Sequence, residues 1–326
     1  MGSIIIVTLL LIFIGAAIMF MSILKSVKAL RYADWFILNS NFKILYLYRF
    51  HLLLMFFFLV GYIAVFTTIL MKVSIVSLPF IGTIFFFGSV FVFMGIYIYS
   101  YMLSICKEKH NSVLLKNSQL IETEDAIIYM LAYQSELRDS ETGQHIERTA
   151  KVVKLLVEKL AYNPKYAPLI TDSYVKNITK SAPLHDIGKI SVPDAILQKH
   201  GKLSEFEYEE MKKHCVYGAK ILNKAKDKIS FKSFLPVAVE LAYYHHERWD
   251  GKGYPRGLQK NEIPLSARIM AVADVYDALV SERYYKPAYS SSKSCSIIEN
   301  ERGKQFDPDV IDAFVTVKDD LEKIYF

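Results

Sequence analysis

Residues 266–280 read SARIMAVADVYDALV. Apolar side chains recur there at three- and four-residue spacing, without Gly or Pro, which is the pattern of a helix with a buried face. Asp274 stands inside this apolar run. A buried carboxylate is costly unless a cation or hydrogen-bond donors meet it. A salt-bridge partner would satisfy it, and so would a metal ion.

Working outward from this run, the text stays helical. Val152, Val153, Leu155, Leu156 and Leu160 mark one helix, closing near Pro164. Residues 178–184 lead into His185. Ser204 with Glu207 three residues later is a capping-box signature, and it predicts a helix through Met211 and His214 to about Asn223. Residues 237–246 form another, and Asp307 before Pro308 reads as the N-cap and first residue of a terminal helix. Residues 247–264 are rich in Gly, Pro and charge and read as a loop. No segment alternates as a strand does. The expected fold class is all-α.

The first third has a different character. The chain has 326 residues, is 52% hydrophobic and has a mean hydropathy of +0.22. Uncharged apolar runs cover about 4–24, 52–71 and 78–105. Each is long enough to cross a hydrocarbon core of about 30 Å as a helix. The expected organisation is a three-helix transmembrane region over 1–106, a helical connector over 107–129 and an α-helical domain over 130–326. The first run lacks a basic leader and a small-residue cleavage site, so it reads as an uncleaved anchor.

The net charge of +6 is concentrated in this region. Residues 1–106 carry six basic side chains and one acid, whereas the remainder is almost balanced. That near-neutral remainder argues against nucleic acid as a partner; the membrane surface fits the basic part. Lys25, Lys28, Arg31, Lys43 and Arg49 separate the first two runs, only Lys72 lies between the second and third, and Lys107 and Lys109 follow the third. Positive loops stay in the cytoplasm. The expectation is an inner-membrane protein with its N-terminus outside and everything after residue 105 inside. Residues 35–48 mix aromatic, polar and basic side chains, which suits the inner interface.

Leu114, Ile121 and Ile128 recur every seven residues in the connector, with Asn117 and Glu124 at the companion positions. A short parallel coiled coil that makes a homodimer fits this spacing, and so does a plain amphipathic helix. The three cysteines, Cys106, Cys215 and Cys295, have no regular spacing and form no CxxC pair. Reduced thiols fit best, with Cys215 read as a packing residue.

Five of the eight histidines keep distinctive company: His145, His185, His214, His245 and His246. Asp186 follows His185, Asp274 lies in the apolar run, and Glu141 precedes His145 by four residues, a spacing that shares one helix face. Any one of these alone is more simply a surface or hydrogen-bonded residue. Together they make an N/O donor set suited to borderline divalent metals, and large enough for more than one ion.

The stretches AYQSELRDSETGQH, LHDIGKISVPD, KKHCVYGAKIL, YYHHERWDGKGYPRGL and ARIMAVADVYDAL occur in this order over about residues 130–314. In this they resemble the HD-GYP domain, a branch of the HD phosphohydrolases. The resemblance implies a core of His145, His185, Asp186 and Asp274, with His214, His245 and His246 as further ligands. Glu141 matches the carboxylate used where the site is trinuclear, so two or three divalent ions are implied, with iron or manganese the first expectation. Asp186 would bridge the ions, and Lys189 would lie near the scissile phosphate. Tyr254, in the DGKGYP loop, would meet a guanine, and Arg283 and Lys286 would bind substrate phosphates. Asp277 matches a family position with a structural role. Tyr284, Ser191 and His200 depart from the family's usual Pro, Gly and Pro, and none of these removes a ligand.

The implied activity is metal-dependent hydrolysis of cyclic di-GMP to linear pGpG, and onward to GMP, through attack of a metal-bridged hydroxide. Two alternatives stay open. One is a phosphohydrolase acting on another cyclic dinucleotide or nucleotide. The other is a non-catalytic module that binds the nucleotide and signals.

Overall fold

The computed structural model describes the chain except residues 1, 38–41, 72–77, 139–143, 283–287 and 326. Among the described residues the elements are α-helices with three short 3-10 turns, and an isolated bridge between Arg302 and Phe306 is the extent of β-pairing. The fold is all-α, as the periodicity predicts. The chain divides into two compact units, Met1–Ser118 and Gln119–Phe326.

In the first unit lie α1 (Gly2–Ile37), α2 (Phe42–Leu70) and the first part of α3 (Leu78–Glu136). Three helical stretches are long and apolar enough to cross a membrane: Ile5–Lys28, Tyr46–Leu70 and a segment within Val90–Glu136. Side chains such as Leu10, Leu11, Phe13, Val60 and Phe93 are exposed along them. Hydrocarbon would remove the cost of that exposure, while the helix ladder satisfies the backbone internally. Gly15 lets α1 approach α2, because a Cβ there would stand 2.9 Å from the Tyr62 ring. Tyr48 donates to the Ser26 carbonyl at 3.2 Å, and His51 stacks on Phe91 with ring centroids 4.4 Å apart. The helices outrun the apolar runs. α1 continues through Lys25, Lys28 and Arg31, so these cations sit on a helix, and residues 35–48 are divided between α1 and α2 with 38–41 outside the described residues.

The second unit is built around α4 (Gln144–Leu160) and α10 (Leu265–Val280). Val152, Val153, Leu156, Val157 and Leu160 of α4 pack with Ile269, Met270, Val272 and Tyr276 of α10 in one buried cluster. Around them stand α5 (Asp172–Ser181), α6 (Asp194–Leu197), α7 (Glu205–Lys212), α8 (His214–Lys226) and α9 (Leu235–Tyr244). The chain ends in α11 (Ser291–Asn300), α12 (Pro308–Thr316) and α13 (Lys318–Tyr325). Asp307 is the N-cap of α12, accepting from the Asp309 N–H at 2.9 Å, and also pairs with the buried Arg268 guanidinium at 2.5 Å. A second cluster joins Ile128 of α3 to Leu184, Ile187, Leu222, Leu235, Ala238 and Ala242.

One helix expected from sequence is two. The capping box at Ser204 and Glu207 is formed, but α7 ends at Lys212 and α8 begins at His214. The ring of His214 donates from Nδ1 to the Met211 carbonyl at 2.7 Å. It thereby engages an acceptor that a continuous helix would offer to the N–H four residues on.

Leu156 is fully buried between α4 and its neighbours. Leu156→Ala should cost roughly 2–5 kcal/mol. In the detergent-solubilised chain this is read as a fall on the order of 10 °C in the thermal unfolding midpoint by circular dichroism. The exposed Lys154→Ala should leave it unchanged.

Candidate metal centre

Five segments carry the candidate ligands to one place. His145 lies in the first turn of α4, and His185 and Asp186 lie between two 3-10 turns, Ala182–Leu184 and Ile187–Ser191. His214 opens α8, His245 and His246 follow the end of α9, and Asp274 lies in α10. The closeness of the second and third segments depends on Gly188. A Cβ there would fall 1.9 Å from the His214 carbonyl oxygen and 2.5 Å from the Gly218 nitrogen. Only a residue without a side chain allows that approach. The same segment is tied down from α3 and the residues just after it. Ser135 Oγ donates to the Asp186 carbonyl at 2.9 Å, and the Arg138 guanidinium donates to the carbonyls of Ile190 and Val192.

His145, His185, His214 and His245 share one arrangement. Nδ1 of His185, His214 and His245 donates to the carbonyls of Ala182, Met211 and Leu241 at 2.9, 2.7 and 2.8 Å. Nδ1 of His145 meets Asp277 Oδ2 at 2.7 Å. A carbonyl can only accept, so Nδ1 carries the proton and Nε2 offers its lone pair. All four Nε2 atoms turn inward. This is how metal-ligating imidazoles are held.

Asp186 stands between two groups of these nitrogens. Its Oδ1 is 3.3 Å from His214 Nε2 and 3.4 Å from His245 Nε2, which are 3.5 Å from each other. Its Oδ2 is 3.5 Å from His185 Nε2 and 2.8 Å from Lys189 Nζ. Asp274 Oδ1 lies 3.9 Å from both His145 Nε2 and His185 Nε2. Two clusters could therefore each hold an ion: His145, His185 and Asp274 on one side, and His214, Cys215, His245 and His246 on the other. Their donors fit a cation. His185 Nε2, at one end, and Asp186 Oδ1, facing the other, are buried without a hydrogen-bond partner, a costly condition that an ion at each end would relieve.

The electrostatics follow from burial and this one carboxylate. Burial pushes His185 down to about 4, against the pull of Asp186 and Asp274. Burial, then the neighbouring His245 and His214, holds His246 well below the usual imidazole range. For His214 burial opposes the charge, but the nearby Asp186 carboxylate outweighs it and lifts the ring to about 9; His245 is raised in the same way. Burial also opposes ionisation of Asp186, yet Lys189, His185, His214 and His245 hold it well below the usual carboxylate range. The two raised rings, His214 and His245, are those that face Asp186 Oδ1.

The remaining expected residues fall as follows. Lys189 lies against Asp186, and Tyr254 lies over His246 with ring centroids 4.8 Å apart. Lys212 Nζ stands 5.6 Å from the Tyr254 ring centre. The loop reaches this position because Gly253 packs on the backbone of residues 246–248, where a Cβ would fall 2.6 Å from the His246 oxygen. Glu141, Arg283 and Lys286 lie outside the described residues, and so does the helix face expected to join Glu141 to His145.

Three residues matter more than their sequence context suggests. Asp277 binds His145 and also takes the Arg148 guanidinium, with Nε to Oδ1 at 2.7 Å, so its structural role is to orient His145. Its spacing of three from Asp274 is the available signal. Glu136 ends α3 with a buried carboxylate, Oε1 at 3.8 Å from His145 Nε2. Glu247 is buried and accepts the N–H groups of Arg256 and Leu258 at 2.7 and 3.0 Å, which pins the loop bearing Tyr254. Nothing in the local sequence marks the last two, because their partners are supplied by the fold.

A helical domain that turns four Nε2 atoms around two aspartates has the architecture of a histidine–aspartate metal site. A family model described as "HD domain" matches residues 133–310, more than half of the chain, and the chain belongs to that family. It is 47% identical over 209 residues to a cyclic di-GMP phosphodiesterase of Vibrio cholerae, covering 64% of this chain and 42% of that protein. It is 40% identical over 199 residues to a cyclic di-GMP phosphodiesterase of Thermotoga maritima, covering 61% of this chain and 50% of that one. It is also 39% identical over 215 residues to 3'3'-cGAMP-specific phosphodiesterase 2 of Vibrio cholerae, covering 66% and 38%. The chain thus spans half or less of the length of these relatives.

Asp277→Asn keeps the shape but cannot serve His145 and Arg148 together. Loss of such an outer hydrogen bond should weaken Mn(II) binding roughly 10- to 100-fold. Equilibrium dialysis with metal analysis reads this directly, and an unchanged affinity would remove the orienting role.

Proposed function

We propose that the chain is a metal-dependent phosphodiesterase, that its substrate is cyclic di-GMP, and that it acts on the cytoplasmic side of a membrane. The observation that carries this reading is the set of inward Nε2 atoms converging on Asp186, buried and short of hydrogen-bond partners. Divalent ions bound there, iron or manganese, supply an activated water and neutralise charge on the phosphoryl oxygens. His145, His185, Asp186, Asp274, His214, His245 and His246 would hold two of them, with Glu141 available for a third.

The chain's own groups do the rest. Lys189, half-buried beside Asp186, provides a fixed positive charge next to the reacting phosphate. Tyr254, whose ring lies over His246, would offer an aromatic face to a guanine. Arg283 grips substrate phosphate by its fork and Lys286 as a point charge. Water adds across one phosphodiester bond, leaving a 5′-phosphate on one nucleoside and a 3′-hydroxyl on the other, which is pGpG; a second cut gives GMP. A second reading, 3'3'-cGAMP as substrate, is favoured by the 39% identical relative of that specificity.

The three apolar helical stretches fit an anchor in the inner membrane, and the basic residues of α1 orient it with the N-terminus outside. The seven-residue spacing in the connector supports a homodimer through α3.

The detergent-solubilised full chain, loaded with Mn(II) or Fe(II), should convert cyclic di-GMP to pGpG. The double variant His185→Ala, Asp186→Ala should lose turnover by at least about 10³-fold while its circular dichroism is unchanged. Comparison of cyclic di-GMP with 3'3'-cGAMP by product chromatography ranks the two substrates. Metal binding without turnover of either would indicate the non-catalytic module.

Topology is tested separately in a Cys106→Ser background. A cysteine introduced at Ser3 should react with an impermeant maleimide added outside intact cells, and one at Lys109 only after lysis. The opposite pattern would reverse the orientation.

A further inference from the structure

Cys215 occupies the second position of α8, directly after His214, and is fully buried. Its sequence context suggests packing, yet its Sγ is 3.4 Å from His214 Nε2, the nitrogen that faces the centre. The ligand atoms of His214, Cys215, His245 and His246 lie within 4.8 Å of one another. Donors sharing one tetrahedral ion, with metal–nitrogen bonds of about 2.0–2.1 Å and a metal–sulfur bond of about 2.3 Å, stand roughly 3.4 Å apart for two nitrogens and roughly 3.6 Å for nitrogen and sulfur. The observed separations are 3.5 Å between the Nε2 atoms of His214 and His245 and 3.4 Å between His214 Nε2 and the sulfur. An independent feature points to a cation at the same spot. Asp186, only 9% exposed, has its Oδ1 without a hydrogen-bond partner, 3.3 and 3.4 Å from those two nitrogens.

We propose that Cys215 is a metal ligand, its thiolate completing the His214, His245 and His246 end of the centre. This rests on the metal-centre reading but not on the identity of the substrate. Binding replaces the S–H proton, which leaves to solvent, by a metal–sulfur bond, and the metal keeps the sulfur ionised. The two ends of the centre then differ in kind. The end with His145, His185 and Asp274 offers nitrogen and oxygen, whereas the Cys215 end has one soft donor and favours a softer ion such as zinc or iron(II) over magnesium or manganese.

Cobalt(II) tests this without reference to turnover, because thiolate-to-cobalt charge transfer absorbs in the near ultraviolet and imidazole or carboxylate ligation does not. The metal-stripped full chain, titrated with Co(II), should gain that band. Cys215→Ser, of nearly the same shape, should lose it while still showing the visible bands of bound cobalt. The Cys106→Ser, Cys295→Ser double variant should retain it, since neither thiol belongs to a candidate metal cluster. Visible cobalt bands without charge transfer in the unaltered chain would overturn the sulfur ligand and leave the metal centre standing. Absence of cobalt binding in every form would overturn both.

Discussion

A carboxylate buried among imidazoles cannot stay ionised in a dry site unless positive charge accompanies it. Asp186 is in that position, with Oδ1 facing His214 and His245 and Oδ2 facing His185 and Lys189. Much of the second unit's local geometry serves this arrangement. Gly188 brings the Asp186 segment against α8, Ser135 and Arg138 hold its carbonyls, and each ring's Nδ1 is occupied so that Nε2 turns inward. Protons or ions can supply the charge. The free Nε2 of His185 and the bare Oδ1 of Asp186 favour ions.

The supports are graded in distance from the centre. Asp277 reaches His145 and passes its remaining acceptor capacity to Arg148, which in turn reaches Ser281. Glu247 works through backbone, taking two N–H groups of the loop that carries Tyr254. Both are buried acids whose partners come from distant sequence or from loop backbone, so their cost is met only in the folded chain. The break between α7 and α8 belongs to the same economy of donors and acceptors, since the His214 ring engages a helix carbonyl to set its own direction.

Helix-forming patterns and the apolar spans were legible because they depend on near neighbours. The α10 run, the Ser204 capping box and the Asp307–Pro308 start were read from spacing, and the structure has each of them. The candidate ligands were legible as residue types within motifs. Local spacing overran the break at Lys213, because the competing donor is the His214 side chain, a contact that no periodicity reports. It also left Cys215 as packing, since a thiol one residue from a histidine gains meaning only when two other imidazoles arrive from α9.

The sequence by itself determined which stretches are helical, which could lie in a membrane, and which side chains carry metal-type chemistry, since these follow from local periodicity, length and residue type. Tertiary structure alone decided which nitrogen of each ring faces inward, how Asp186 divides its oxygens between two sets of histidines, and that Glu136, Asp277 and Cys215 stand beside them. Those are matters of ångström-scale contact between residues up to 132 positions apart, and they are set by how the helices pack.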